Sequence, residues 1–316
     1  MCGIYGFFGR APKNERRKLA ELMLKLAVVT LERGRHSTGY YARSDEHEYY
    51  EKNAEPANTF YRNSELFVDA IKSSFMFVGH NRAASVGAIT TENAHPFIGD
   101  NFVGVVNGTF SKIFDIMSDV AFDKIEGETD SEAIIHEFDR HKTVNIPFLK
   151  KLKVYSIVLA DRNSDKLYFM RDPQRPLVIA DMRSTLGCRV FASTGEILET
   201  ALAKAGYDPD NIDYFWTKSF CLYEGDIETG EVNKLKRYHK APKPPKPPKQ
   251  EQRGSTGQPN QNRKNNGDVD YWGNDYYGPV NKQPNANDPD NYHFVKREQT
   301  NWRSRLVQRA MATFGD

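Results

Sequence analysis

The chain has 316 residues with a formal net charge of +2, and 39% of its residues are hydrophobic. This length and composition allow one large hydrophobic core or two modest ones, as in an ordinary enzyme-sized protein. The balanced charge gives no basis for a nucleic-acid-binding surface. No apolar stretch reaches the ~18 residues of a membrane-spanning helix, and the charged segment RAPKNERRK stands where a signal peptide needs its apolar region. We therefore expect a cytoplasmic protein with neither a nucleic-acid partner nor a membrane partner.

The chain begins MCGIYGFFGR, which places a cysteine at the second position. If Met1 is removed, Cys2 carries both a thiol and a free α-amine. An unperturbed α-amine has a pKa of about 7.7–8.0 and a thiol one of about 8.5, so the amine can accept the thiol's proton without another side chain. Cys2 is thus a candidate nucleophile that carries its own base. Taken alone, a cysteine here is more often a chance residue at a frayed terminus.

Residues 1–240 have the pattern of one globular domain. Two helices are predicted, over 13–32 and 130–140, and the second opens with TDSE, an N-cap signal that places Asp130 at its start. Many strands with few helices favour stacked antiparallel sheets with helices outside. The strand candidates are apolar runs bounded by turn residues: IYGFF, FMFVG, FVGVV, VYSIVLA, KLYFM, PLVIA, RVFAS and FCLYE.

The other two cysteines, Cys188 and Cys221, lie in strand-like runs, where a reduced thiol behaves as a small hydrophobic side chain. The odd number of cysteines and the absence of a CxxC motif argue against disulfides and zinc. We expect no metal site.

The composition changes near residue 240, where KPPKPPK and a stretch rich in asparagine and glutamine replace the aliphatic residues of a core. Residues 241–293 are predicted to be a flexible linker. Helical spacing returns within 294–316, with Val295, Trp302 and Leu306 roughly on one side. This segment is either a helix that docks on a partner or a transient helix on a disordered tail.

Six short motifs occur in a characteristic order: CGIYGFFG, RGRHSTG, GHNRAASVG, NAHPF, VVNGTF and ETDSEAI. In identity and order they resemble the glutaminase domain of class II glutamine amidotransferases, which are N-terminal-nucleophile hydrolases. The likeness is strongest to the glucosamine-6-phosphate synthase branch and extends over roughly residues 2–235. It implies an α+β fold, a four-layer αββα sandwich, here with a disordered C-terminal tail. Nothing after residue 240 resembles the isomerase domain of that branch.

The resemblance implies the catalytic roles. Cys2 is the nucleophile that attacks the side-chain amide, and its own amine is the base. The developing oxyanion needs donors fixed in advance. In the family these are the side chain of the asparagine and the main-chain N–H of the glycine in an Asn-Gly pair, which here are Asn107 and Gly108. Seen alone, Asn-Gly after a strand is more often a plain turn.

The resemblance also implies how a free amino acid is recognised. Arg82 matches the family arginine for the α-carboxylate, and its planar guanidinium suits a carboxylate. Asp130 matches the aspartate that holds the α-ammonium group. Arg33 matches an arginine close to the N-terminal residue, where a cation would lower the amine's pKa. In isolation, Arg82 would be taken for a solvated arginine and Asp130 for a helix cap.

The segment HNRAASVG departs from the pattern HTRWATHG that is typical of this branch, and two of the differences bear on function. Ala83 stands in place of the tryptophan, and Val86 in place of the second histidine. The second change removes a polar group near the expected glutamine pocket. Two other histidines, His36 and His95, are expected to be structural neighbours rather than catalysts.

The functional hypothesis is hydrolysis of L-glutamine to glutamate and ammonia through a Cys2 thioester, without a metal or organic cofactor. The ammonia would go to an acceptor enzyme, for whose docking the tail is a candidate. Two alternatives remain. One is another N-terminal-nucleophile amidase, against which the Arg82 and Asp130 pair argues. The other is a catalytically weakened glutamine-binding regulatory module, which Val86 leaves open.

Overall fold

The computed structural model describes residues 1–110, 113 and 123–239. The predicted linker at 241–293 and the predicted helix at 294–316 lie outside these residues. Within the described part, thirteen strands form two antiparallel sheets.

The first sheet has seven strands in the order β11-β9-β10-β1-β4-β2-β3. Its strands are β1 (Gly3–Phe8), β2 (Ser37–Arg43), β3 (Glu48–Asn53), β4 (Met76–Arg82), β9 (Val178–Met182), β10 (Cys188–Ala192) and β11 (Tyr214–Trp216). The second sheet has six strands in the order β13-β12-β8-β7-β6-β5. Its strands are β5 (Phe97–Ile98), β6 (Phe102–Gly108), β7 (Tyr155–Asp161), β8 (Lys166–Arg171), β12 (Cys221–Asp226) and β13 (Val232–Arg237).

Helices cover the outer face of each sheet. The described part contains α1 (Arg16–Val29), α2 (Ala57–Asn63), α3 (Phe67–Ser73), α4 (Asp130–His141), α5 (Ile146–Leu149), α6 (Arg183–Leu186) and α7 (Gly195–Lys204), with short 3₁₀ turns at Thr30–Glu32 and Pro209–Asn211. Helices α1, α2, α3 and α7 share a buried cluster with the first sheet. Helices α4 and α5 share another with the second sheet.

A third buried cluster lies between the two sheets, with Ile4 and Val78 from the first sheet and Val105 and Val158 from the second. Each of these side chains is at most 3% exposed, so their burial supplies a large hydrophobic stabilisation. The order of layers is helices, sheet, sheet, helices, which is the expected four-layer αββα sandwich.

All eight predicted strands and both predicted helices are present, with adjusted ends. The first helix is shorter than predicted, because the chain continues as a 3₁₀ turn at Thr30–Glu32. Five strands were not predicted: β2, β3, β5, β11 and β13. Of these, β2 is buried along its whole length, whereas β3 and β13 lie at sheet edges. No residue of β3 or β13 is fully buried and most are polar, so these two edge strands lack the apolar alternation that marks a half-buried strand.

Candidate active site

Cys2 lies directly before β1, a central strand of the first sheet. Its side chain is nearly buried, with 9% of the residue exposed. The main-chain N–H of Ala83 donates to the Cys2 sulfur at 3.4 Å, and the thiol in turn lies 3.7 Å from the Ala83 carbonyl oxygen. Ala83, which directly follows β4, thereby fixes the thiol at the ends of the paired strands β1 and β4.

Opposing effects act on the pKa of the Cys2 thiol. Burial raises this pKa, while the Ala83 N–H and the positive charges of the N-terminus, Arg82 and Arg33 act in the opposite direction, and burial dominates. With Met1 in place, the thiol is therefore kept protonated at neutral pH. The nitrogen of Cys2 is then a peptide N–H and has no lone pair with which to accept the proton.

Asn107 approaches Cys2 from the other sheet. It lies near the end of β6, and its Oδ1 accepts a hydrogen bond from the Cys2 nitrogen at 3.2 Å. Its side chain is buried, and its Nδ2 finds no hydrogen-bond partner among the described residues. A buried donor without a partner is costly, so this N–H₂ group is available for a ligand.

Gly108 follows Asn107 and pairs with Tyr155 of β7. A Cβ atom at Gly108 would lie 2.6 Å from Cζ of Phe110 and 2.7 Å from the carbonyl oxygen of Val154. Because real Cβ atoms do not come so close to other atoms, this position requires glycine.

Arg82 ends β4 and is only 3% exposed. Its two terminal nitrogens donate to the carbonyl oxygens of Val86, at 2.5 Å, and Ala88, at 2.9 Å. The guanidinium thus already stabilises the loop that follows β4. Each terminal nitrogen carries a second N–H, so two donors are left for an anion.

Asp130 is the first residue of α4, and Thr129 caps that helix by accepting from the main-chain N–H of Glu132. One oxygen of Asp130 accepts from the main-chain N–H of Phe110 at 2.6 Å, and the other from the Ser131 hydroxyl at 3.3 Å. Burial raises the pKa of Asp130, and these hydrogen bonds oppose the rise. The carboxylate is held in one orientation at the helix start.

Arg33 contacts the main chain of the nucleophile. Its Nε donates to the carbonyl oxygen of Cys2 at 2.9 Å. The next residue, Gly34, packs on the end of β4, where a Cβ atom would lie 2.5 Å from the carbonyl carbon of Arg82. The absence of a side chain at Gly34 lets this loop approach Cys2.

A surface pocket brings most of these residues together. Four of the six predicted site residues line it: Cys2, Arg82, Gly108 and Asp130. The other two, Asn107 and Arg33, contact the main chain of Cys2. The remaining lining residues are Ala83, Ser85, Val86, His95, Thr129 and Ser131.

The sequence analysis did not assign a role to the main chain of Ala83, although this residue contacts the thiol. The HNRAAS motif contained it, but a main-chain role leaves no signature in residue type. His36, expected to be structural, accepts a hydrogen bond from the main-chain N–H of Ala84. His95 was expected to be a structural loop residue, and it lies in the pocket wall.

Cys188 and Cys221 are buried and free, as predicted. Among residues 1–110, 113 and 123–239, no group of three or more histidine, cysteine, aspartate or glutamate side chains is arranged to hold a metal ion. In the same part of the chain, no helix has the length and apolar character needed to cross a membrane.

Comparison with known proteins relates the sequence to one curated relative. The chain is 36% identical over 139 residues to a glutamine–fructose-6-phosphate aminotransferase (isomerizing) of Rhizobium leguminosarum bv. viciae. That match covers 43% of this chain and 21% of the relative, so the chain spans about a fifth of the relative's length. No protein-family model matches the sequence.

Two solved structures share the fold. One is the glutamine phosphoribosylpyrophosphate amidotransferase of B. subtilis, with a TM-score of 0.57 at 18% identity. The other is described as the allosteric regulatory enzyme of purine biosynthesis, with a TM-score of 0.53 at 20% identity. Each match covers 74% of this chain and 49% of the solved chain. At this level of identity the two likenesses establish the fold, and they confirm the predicted sandwich.

Proposed function

Because this chain is homologous to the class II glutamine amidotransferases, we propose that it hydrolyses the side-chain amide of L-glutamine to give glutamate and ammonia. One observation carries the proposal. The nitrogen and the thiol of Cys2 lie together at a pocket edge, and Asn107 binds that nitrogen while its Nδ2 has no partner among the described residues.

The reaction begins once Met1 is removed. The freed α-amine of Cys2 takes the thiol proton, and the sulfur attacks the carboxamide carbon. The carbonyl oxygen becomes an oxyanion, to which Nδ2 of Asn107 and the main-chain N–H of Gly108 donate. The ammonium group of Cys2 then gives its proton to the leaving nitrogen, the C–N bond breaks and ammonia departs. Water hydrolyses the resulting thioester, which releases glutamate and regenerates the thiol.

Substrate recognition is assigned to the two buried charges of the pocket. The free N–H groups of Arg82 would bind the α-carboxylate, and the fixed carboxylate of Asp130 would bind the α-ammonium group. A substrate with both groups is a free amino acid. This pair therefore favours glutamine over an amide within a peptide.

The test combines intact mass with a glutamate-release assay. Protein without Met1 is expected to release glutamate and ammonia from L-glutamine in equal amounts. Cys2→Ala, which keeps the amine but removes the thiol, is expected to abolish the release and to melt as the unchanged protein does. Equal activity of Cys2→Ala would overturn the mechanism. A processed protein that binds glutamine without hydrolysing it would favour the regulatory alternative.

The ammonia is proposed to go to an acceptor enzyme that docks through residues 241–316, whose composition cannot supply a core. The name of the curated relative states amino transfer to fructose 6-phosphate, but this chain spans only part of that protein. A chain ending at residue 240 is expected to keep its melting temperature and its glutaminase activity. If it unfolds, the proposed domain boundary is wrong. Substitution of Trp302 and Leu306 is expected to uncouple hydrolysis from amino transfer.

A further inference from the structure

His95 lies in the wall of the Cys2 pocket, just before β5. The residue is only 2% exposed. Its ring packs against two aromatic neighbours: the ring centroid lies 3.9 Å from that of His80 and 4.6 Å from that of Phe97. The imidazole is therefore held in place by packing.

One contact of His80 determines which of its ring nitrogens carries the proton. Its Nε2 lies 3.2 Å from the carbonyl oxygen of Val106. Because a carbonyl oxygen only accepts, Nε2 carries the proton in this contact. His80 is thus anchored to β6 and provides a fixed surface against which His95 packs.

The two ring nitrogens of His95 are both buried, and neither has a hydrogen-bond partner among the described residues. Burial, together with the nearby charges of Arg82 and Lys52, lowers the pKa of His95 well below its ordinary value. The ring is therefore neutral, with one N–H donor and one lone pair. A buried group of this kind is expected to find its partner in a ligand or in water.

The other polar side chains of the pocket wall already have partners. The contacts are Ser85 with Thr109, Thr129 with the main-chain N–H of Glu132, Ser131 with Asp130, and Arg82 with two loop carbonyls. Val86 has no polar side-chain atom. Arg82 keeps some N–H groups free, whereas neither ring nitrogen of His95 has any hydrogen-bond partner among the described residues.

We propose that His95 recognises the carboxamide of the substrate, by accepting a hydrogen bond from its NH₂ group while Asn107 donates to its carbonyl oxygen. This inference rests on the proposed glutamine hydrolysis. The carboxamide has two N–H donors, and the Ala83 carbonyl, which lies 3.7 Å from the Cys2 thiol, has a second lone pair for the other N–H. A lone pair at this place favours an amide over the product carboxylate, which has no N–H to donate. His95 is thereby a specificity-determining residue.

The experiment compares L-glutamine with L-glutamate γ-methyl ester, which keeps the α-ammonium group and the side-chain carbonyl but has no side-chain N–H. His95→Phe keeps the aromatic packing and removes both nitrogens. We expect kcat/KM for glutamine to fall about tenfold, as for one lost hydrogen bond. We expect kcat/KM for the ester to change by less than about twofold. His95→Gln restores an acceptor and is expected to recover most of the preference for glutamine.

Phe97→Leu is the matched control, because it disturbs the packing of the same ring and removes no polar atom. It is expected to lower kcat/KM for both substrates in parallel. If His95→Phe does not fold, His95→Gln and His95→Leu replace it. Their side chains are nearly equal in size, and only that of glutamine has a hydrogen-bond acceptor. Parallel loss for both substrates in the His95 variants would overturn the inference and leave the proposed function intact. If unchanged processed protein hydrolyses neither substrate, both the proposed function and this inference fail.

Discussion

Oδ1 of Asn107 lies 3.2 Å from the main-chain nitrogen of Cys2, although the two residues are 105 positions apart. Cys2 directly precedes β1 of the first sheet, and Asn107 lies in β6 of the second. The contact joins the two layers of the sandwich at the candidate nucleophile. It places the nitrogen that would become the base next to the side chain that would stabilise the oxyanion.

The first prediction concerns Met1. Protein with any residue retained before Cys2 is expected to be at least about 100-fold less active than protein whose first residue is Cys2, because a peptide nitrogen cannot act as a general base. A cleavable N-terminal extension tests this, since the same preparation is assayed before and after cleavage. Intact mass confirms the cleavage. Equal rates before and after it would contradict the role of the amine.

The second prediction concerns the oxyanion. Asn107→Ala is expected to lower kcat about 10²–10³-fold with little change in KM, because the oxyanion exists only along the reaction path. Asn107→Asp is the informative companion, since it still accepts from the Cys2 nitrogen and cannot donate when ionised. In steady-state kinetics, both variants are expected to show a similar fold decrease in kcat. A change in KM alone would show that Asn107 binds the ground state.

The third prediction concerns the α-ammonium group. Asp130→Asn keeps an acceptor for the Phe110 N–H but removes the charge, so glutamine binding is expected to weaken by about 2–4 kcal/mol. The readout is KM, or the Kd for glutamine in the Cys2→Ala background. Asp139→Asn is the matched control, because Asp139 is a buried carboxylate of the same helix that accepts from main-chain N–H groups and does not line the pocket. Equal effects of the two substitutions on binding would refute the assignment.

The fourth prediction concerns pH. Because burial raises the pKa of the Cys2 thiol in protein that retains Met1, its alkylation by iodoacetamide is expected to rise with pH around a midpoint above the ~8.5 of a free thiol. The folded state then holds this proton more tightly than the unfolded chain. The Cys2 thiol therefore contributes to the free energy of unfolding below its unfolded-state pKa. This contribution is lost as pH rises through the folded-state pKa of the thiol.

Peptide mass mapping identifies the alkylated cysteine. Cys188 and Cys221 are at most 1% exposed, so Cys2 is expected to react first. Arg33→Gln removes a nearby positive charge and is expected to move the midpoint further upward. A midpoint below that of a free thiol would mean that the neighbouring charges outweigh burial.

The fifth prediction concerns the packing behind the nucleophile. A Cβ atom at Gly3 would lie 1.9 Å from Cγ2 of Thr30 and 3.4 Å from its Cβ. Gly3→Ala is therefore expected to lower the free energy of unfolding by about 1–3 kcal/mol. Thr30→Ala removes the clashing methyl group, so the double variant is expected to recover most of the loss in a denaturant titration. Additive effects of the two substitutions would contradict the predicted clash.

The sequence by itself predicted eight of the thirteen described strands and indicated the candidate site residues. Apolar runs such as VYSIVLA predict buried strands because each residue of the run contributes to burial wherever the strand is placed. The TDSE signal predicts the start of α4 because a helix cap is a local interaction. The ordered motifs indicated Cys2, Asn107 and Asp130 through their resemblance to a known family, because each residue taken alone is more often a chance or structural one.

The tertiary structure alone decided how these residues meet. The edge strands β3 and β13 have polar sequences, and it is pairing with β2 and β12 that makes them strands. The place of His95 in the pocket wall is held by packing against His80, a contact between residues 15 positions apart that no local pattern encodes. The hydrogen bond between Asn107 and Cys2 forms only where the two sheets stack. Contacts of this kind depend on the relative placement of distant segments, which is set by burial of the whole core and not by local propensity.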